Sequence, residues 1–66
     1  MMQELHLYDK VLLNSGEIAY IIGIYRQGYA YQANIRTVGG PIIGTVLQKN
    51  IVKVYPLQSA LTRHAG

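Results

Sequence analysis

The chain has no cysteine, no phenylalanine and no tryptophan, and only three acidic residues among 66. Without cysteine there is no disulfide and no thiolate metal site. The two histidines, His6 and His64, stand near opposite ends with no ligand-like spacing, so a metal staple is not expected either. Glu4, Asp9 and Glu17 form no paired-carboxylate motif, and Ser15 and Ser59 sit in none of the nucleophile motifs. Gly39-Gly40-Pro41 reads as a turn, because Pro41 lacks the N–H that a phosphate cradle would use. No apolar run approaches the ~18–20 residues of a membrane span. The opening Met1-Met2-Gln3-Glu4 lacks the basic head and apolar stretch of a secretory signal. These absences predict a noncatalytic chain with no cofactor, no metal and no membrane partner, in the cytoplasm.

A chain this short makes one domain and buries only ~60% of its unfolded surface, so its stability margin is thin. Small domains usually add a disulfide, a metal or a partner subunit, and here only the last remains. Charged residues make up 14% of the chain, against about 25% in ordinary soluble domains. A surface this poor in charge favours a homo-oligomer, although six tyrosines raise the apolar count while keeping a polar tip. The net charge is +3, from Lys10, Arg26, Arg36, Lys49, Lys53 and Arg63 against the three acids. That balance permits contact with nucleic acid without demanding it.

Turn signals divide the chain evenly: Asn14-Ser15-Gly16-Glu17, Arg26-Gln27-Gly28, Val38-Gly39-Gly40-Pro41 and Lys49-Asn50. Between them lie short runs rich in Ile, Val, Tyr and Leu, the pattern of an all-β sandwich or barrel. The first run covers Leu7 to Leu13, with Val11 and Leu13 on one face. The second, Ile18 to Tyr25, is apolar on both faces: Ile18, Tyr20, Ile22 and Ile24 on one, Ala19, Ile21, Gly23 and Tyr25 on the other. The first of these faces is the expected core side, and Gly23 predicts a bend. The third run puts Tyr29, Tyr31, Ala33 and Ile35 inward and Ala30, Gln32, Asn34 and Arg36 outward, and pairs with the second as a hairpin. The fourth spans Pro41 to Gln48. Gln48-Lys49-Asn50 then forms a tight or 3₁₀ turn before the fifth run, Ile51 to Tyr55, which Pro56 ends. Residues 57–66 read as a tail, either frayed or carrying one helical turn capped by Ser59 with Leu57 and Leu61 on one side.

Four β-runs, a tight turn and a last short strand resemble the order of the SH3-like barrels, over residues 5–56. The segment from Tyr8-Asp9-Lys10-Val11 through Asn14-Ser15-Gly16-Glu17 to Ile22 looks like the opening of Tudor- and KOW-type domains. The closing Val46 to Tyr55 is similar to their final turn and strand, and to short bacterial SH3-like proteins of unknown function. The resemblance implies a five-stranded SH3-like barrel with a short C-terminal tail. A second likeness is to the type II dihydrofolate reductases, small SH3-like barrels that assemble around a shared pore. It is carried by Ile22-Gly23-Ile24-Tyr25 and Gly28-Tyr29-Ala30-Tyr31. Their chemistry depends on a Val-Gln-Ile-Tyr segment, where this chain reads Pro41-Ile42-Ile43-Gly44-Thr45-Val46. The missing glutamine and tyrosine argue against folate reduction and leave the assembly as what the likeness implies.

Function is therefore expected to be binding: an adaptor module with an unknown protein partner, an oligomer with a small-molecule pocket between subunits, or a weak nucleic-acid binder. Tyrosines can stack bases or cage a cation. Tyr20, Tyr29 and Tyr31 share faces with isoleucine and are expected in the core, while Tyr25 beside a turn is expected outside. Strand ends gather at barrel rims, so the candidate binding surface is Tyr25, Arg26, Arg36, Lys49 and Lys53.

Overall fold

The computed structural model describes residues 4–55. The expected tail, and with it the Ser59 cap, lies outside the described residues. The elements are β1 (Lys10–Leu13), β2 (Ile18–Arg26), β3 (Ala30–Thr37), β4 (Gly40–Leu47), a 3₁₀ turn η1 (Gln48–Asn50) and β5 (Ile51–Tyr55). All pairings are antiparallel, in one sheet of order β4-β3-β2-β1-β5. The fold is thus all-β, as the turn spacing predicts. The edge strands β4 and β5 do not hydrogen-bond to each other, so the ladders leave the sheet open rather than closing the expected barrel.

One face of the sheet holds the core. Val11, Ala19, Ile21, Tyr31 and Ala33 are fully buried there together with Leu5, and Leu13 and Val46 nearly so. Val46 comes from one edge strand, and Ile51 and Val54, packed on the same cluster, come from the other. Both edge strands thus contribute to one core. The pairing row Gly44–Ala33–Ile21 runs across its inner face.

Strict alternation fails along β2 because the ladder slips twice. Ile21 pairs with Ala33 and Gly23 with Gln32, which makes Ile22 an extra residue. Ile24 then pairs with Tyr31 and Arg26 with Ala30, which makes Tyr25 the second. A bulge reverses the faces beyond it. The core residues of β2 are consequently Ala19 and Ile21, not those expected: Ile18, Tyr20 and Ile22 are half-buried, and Ile24, returned by the bulge to the side of its partner Tyr31, is exposed. The bend expected at Gly23 is this first bulge.

Three further expectations change. β1 begins at Lys10 rather than Leu7, because the Asp9 carboxylate accepts the His6 N–H at 2.9 Å and Tyr8 takes a left-handed φ of 73°. That closes residues 6–9 into a turn. Tyr29 belongs to the β2–β3 turn, its N–H bonded to the Arg26 carbonyl, and is exposed. Ala30, expected outside, is buried between its partners Arg26 and Leu47. Val11 and Leu13 on one face, the inward Tyr31 and Ala33, the 3₁₀ turn and β5 all stand as the residue pattern implies.

Tyr31 is the largest fully buried side chain. Its hydroxyl accepts the Gly28 N–H at 2.6 Å and donates to Gln48 Oε1 at 2.6 Å, with Gln27 Oε1 at 3.1 Å. Gln27 in turn pairs its amide with the Leu5 backbone in both directions, at 2.8 and 2.9 Å.

Three outcomes follow for stability in urea. Tyr31→Phe strands the Gly28 donor and the Gln48 acceptor and is expected to cost ~1–3 kcal/mol, read as a lower midpoint at unchanged slope. Ile21→Ala empties the centre of the core and should cost ~2–5 kcal/mol, with Ile22→Ala clearly milder. An equal loss at both positions would place the bulge elsewhere. Gly16, with φ +94° in the β1–β2 turn, should not accept Gly16→Val without a fall in melting temperature, since a β-branched residue is strained there.

Candidate anionic-ligand face

The outer face is built from the residues that alternate with the core. In antiparallel pairing, directly opposed residues share a face. One row across the sheet is therefore Pro41, Arg36, Ile18, Leu12 and Lys53, and the next is Ile43, Asn34, Tyr20, Lys10 and Tyr55. Both rows precede the first β2 bulge, so their register is continuous. They carry Lys10, Arg36 and Lys53, two tyrosines and no acid.

The ammonium groups of Lys10 and Lys53 lie 5.2 and 5.1 Å from the centroid of the Tyr55 ring. Each such contact contributes ~0.5–1 kcal/mol at an exposed site. Two like charges on one ring stand within about a Debye length of each other, where repulsion is not fully screened. Arg36 lies three strands from Lys53 in the same row, about 14 Å at ordinary strand spacing. Among the described residues no lysine or arginine is in a salt bridge. Two of the three acids are engaged otherwise, Asp9 buried against His6 and Glu17 bonded to Ser15.

Asn34, between Tyr20 and Ile43 at the middle of the face, has its Oδ1 buried without a hydrogen-bond partner. Such an acceptor costs ~1–3 kcal/mol.

The sequence-predicted surface divides. Arg36 and Lys53 share the outer face. Tyr25, Arg26 and Lys49 gather instead at the end of the sheet made by the β2–β3 turn and η1, joined by the Gln48 N–H to Tyr29 carbonyl bond at 2.8 Å. There a cleft of about 280 Å³ is lined by Gly28, Tyr29, Leu47, Gln48 and Lys49. That is room for one ring or side chain, below the ~300–1,000 Å³ of small-molecule sites. Tyr25 is 62% exposed, as expected, and the second bulge is the reason. The sequence reading missed Lys10, Tyr20 and Tyr55. Lys10 and Tyr55 flank buried Val11 and its partner Val54 at period two, which was the available signal.

Among the described residues no group of His, Asp or Glu is placed to hold a metal ion, and no helix is long and apolar enough to cross a membrane. Comparison with protein families, with characterised proteins and with solved structures finds no match for this chain.

Proposed function

We propose that the chain is a noncatalytic binding module of SH3-like barrel form that holds a single-stranded nucleic acid on its outer face. The observation that carries this is the placement of Lys10 and Lys53 on one tyrosine ring, with Arg36 on the same face and no acid among them. Unneutralised cations contact phosphates, and tyrosine rings accept bases by stacking in a way every base allows. The buried Asn34 Oδ1 supplies an acceptor that a base amino group completes once the side chain turns outward. The barrel form is supported by the strand order, the two bulges of β2, the 3₁₀ turn between β4 and β5, and a core fed from both edge strands.

The test is fluorescence anisotropy of a labelled single-stranded oligonucleotide across a salt series. Three phosphate contacts predict a slope of log K against log salt of ~−2, a loss of about 20-fold between 50 and 200 mM. The Lys10→Ala, Lys53→Ala double variant should flatten the slope to about a third of that. Tyr55→Leu should weaken binding with the slope kept, since stacking rather than charge is removed. Binding of equal strength and slope in all three proteins would sink the assignment to this face. No binding at low salt would leave the Tyr29–Lys49 cleft and a protein partner as the reading to pursue.

A further inference from the structure

We infer that β4 pairs with β4 of a second copy of this chain, antiparallel and centred on Gly44, joining two sheets into one of ten strands. The inference concerns the edge of the sheet and does not depend on nucleic-acid binding by its outer face.

The argument begins with Pro41. Proline has no N–H, so the pair Arg36↔Pro41 is of the non-hydrogen-bonded kind. Alternation then makes Asn34↔Ile43 and Gln32↔Thr45 non-hydrogen-bonded too. The ladder on the other side agrees, with the Ile21 N–H directed to the Asp9 carbonyl toward β1. The backbone groups of Ile43 and Thr45 therefore point off the sheet, and among the described residues none of the hydrogen bonds beyond the ladders involves them.

Edge strands are normally blunted by shortness, charge, proline or bulges. β5 is: it has five residues, a register slip opposite Leu12 and Leu13, and Lys53. β4 has eight residues, GPIIGTVL, without a charge or a slip against β3. Its one proline, Pro41, stands near the start, and the edge from Ile42 to Leu47 keeps every N–H. Ile42 and Ile43 are 53% and 56% exposed on its two faces.

Gly44 identifies the occupant. The other glycines of the described strands and turns have local causes. Gly16, Gly28 and Gly40 have positive φ, Gly39 lies in a turn, and a Cβ on Gly23 would stand 3.1 Å from Gln32 Oε1. A Cβ on Gly44 would meet only the Ile35 Cδ1 methyl, at 3.4 Å, and its φ is ordinary. The described residues leave room for an alanine there. A glycine inside a strand marks a place where another backbone comes close. In a two-fold pairing centred on Gly44, the two copies of Gly44 form the narrow non-hydrogen-bonded pair, with Cα atoms about 4.5 Å apart. Ile43 then exchanges both backbone bonds with the partner's Thr45, and Thr45 with the partner's Ile43. Exposed Ile42 comes beside the partner's Val46. A two-fold axis sets a strand against itself, so an uncharged strand is one that can lie there without like-charge repulsion. Because that axis is perpendicular to the sheet, both outer faces end on the same side.

A single edge pairing is at the small end of specific interfaces. Sedimentation equilibrium of the full chain from about 1 µM to about 1 mM is therefore expected to pass from 7.4 kDa toward twice that mass. Ile43→Lys adds a charge at an exposed edge position and should raise the dimer dissociation constant at least ~10-fold. Thr45→Pro removes an N–H that the β3–β4 ladder does not use, and should abolish the dimer while circular dichroism stays native. Backbone hydrogen exchange of Ile43 and Thr45 should slow as concentration rises. A mass of 7.4 kDa throughout, dimers unaffected by both variants, or slow exchange independent of concentration would each overturn the inference. The last would mean that a segment of the same chain covers the edge.

Discussion

The hydroxyl of Tyr31 holds together the parts of this fold that strand pairing does not reach. Its ring fills the centre of the core, and its oxygen meets the β2–β3 turn at Gly28 and the 3₁₀ turn at Gln48. Through Gln27 the same network fixes Leu5, which seals the core from the N-terminal side. A domain with no disulfide needs such a device, because a small core leaves little margin. It also sets a condition. A buried polar network stabilises only when every member is satisfied, so Tyr31, Gln27 and Gln48 act as one unit. The turn that exposes Tyr29 is tied to the core by the Gly28 N–H to Tyr31 hydroxyl bond.

Residue size shapes both faces. The small Ala19 and Ala33 leave the inner side to be filled by Tyr31, Ile21 and Val11, and the residues that alternate with them go outward. Ile18, Tyr20 and Ile22 are half-buried there instead of solvated. The outer face is therefore a semi-apolar platform onto which Lys10, Arg36 and Lys53 are fixed at ladder positions. A cation at a ladder position is placed by backbone geometry, where one on a loop is placed by its own torsions. That distinction separates the outer face from the Arg26 and Lys49 end, whose cations sit at a turn and a single 3₁₀ turn.

The strands were legible because glycine and asparagine turns interrupt β-branched runs at regular spacing. β5 and the 3₁₀ turn, bounded by Asn50 and Pro56, could be read to the residue. The inner face of β3 was legible from Tyr31, Ala33 and Ile35, since polar residues alternate with them. β2 was not: every position from Ile18 to Ile22 is apolar, so periodicity offered no choice of face, and a bulge is invisible in hydrophobicity. The turn at residues 6–9 was hidden for another reason. It depends on one carboxylate accepting one backbone N–H, and Leu7-Tyr8 looks like strand to any propensity argument. Of the binding surface, the exposure of Tyr25 could be foreseen from its neighbouring turn. The grouping of Arg36 with Lys53 and Lys10 could not, because it follows from the order β3-β2-β1-β5, in which the last strand of the chain lies beside the first.

The charge distribution argues for binding over stability. Surface ion pairs contribute only ~0–1 kcal/mol, so a chain gains little by pairing its cations and loses little by leaving them alone. Bringing two ammonium groups to one ring is different. It sets up a repulsion that scattering the lysines would avoid, on a domain with little stability to spare. The cation–π attraction offsets part of that cost and fixes both charges where a phosphate would relieve the remainder. A merely solvated face would also carry acids among its bases, as mixed surfaces do. This one carries none across the two rows from β3 to β5, and that one-sidedness, more than the net charge of +3, is the feature on which the proposed anionic partner rests.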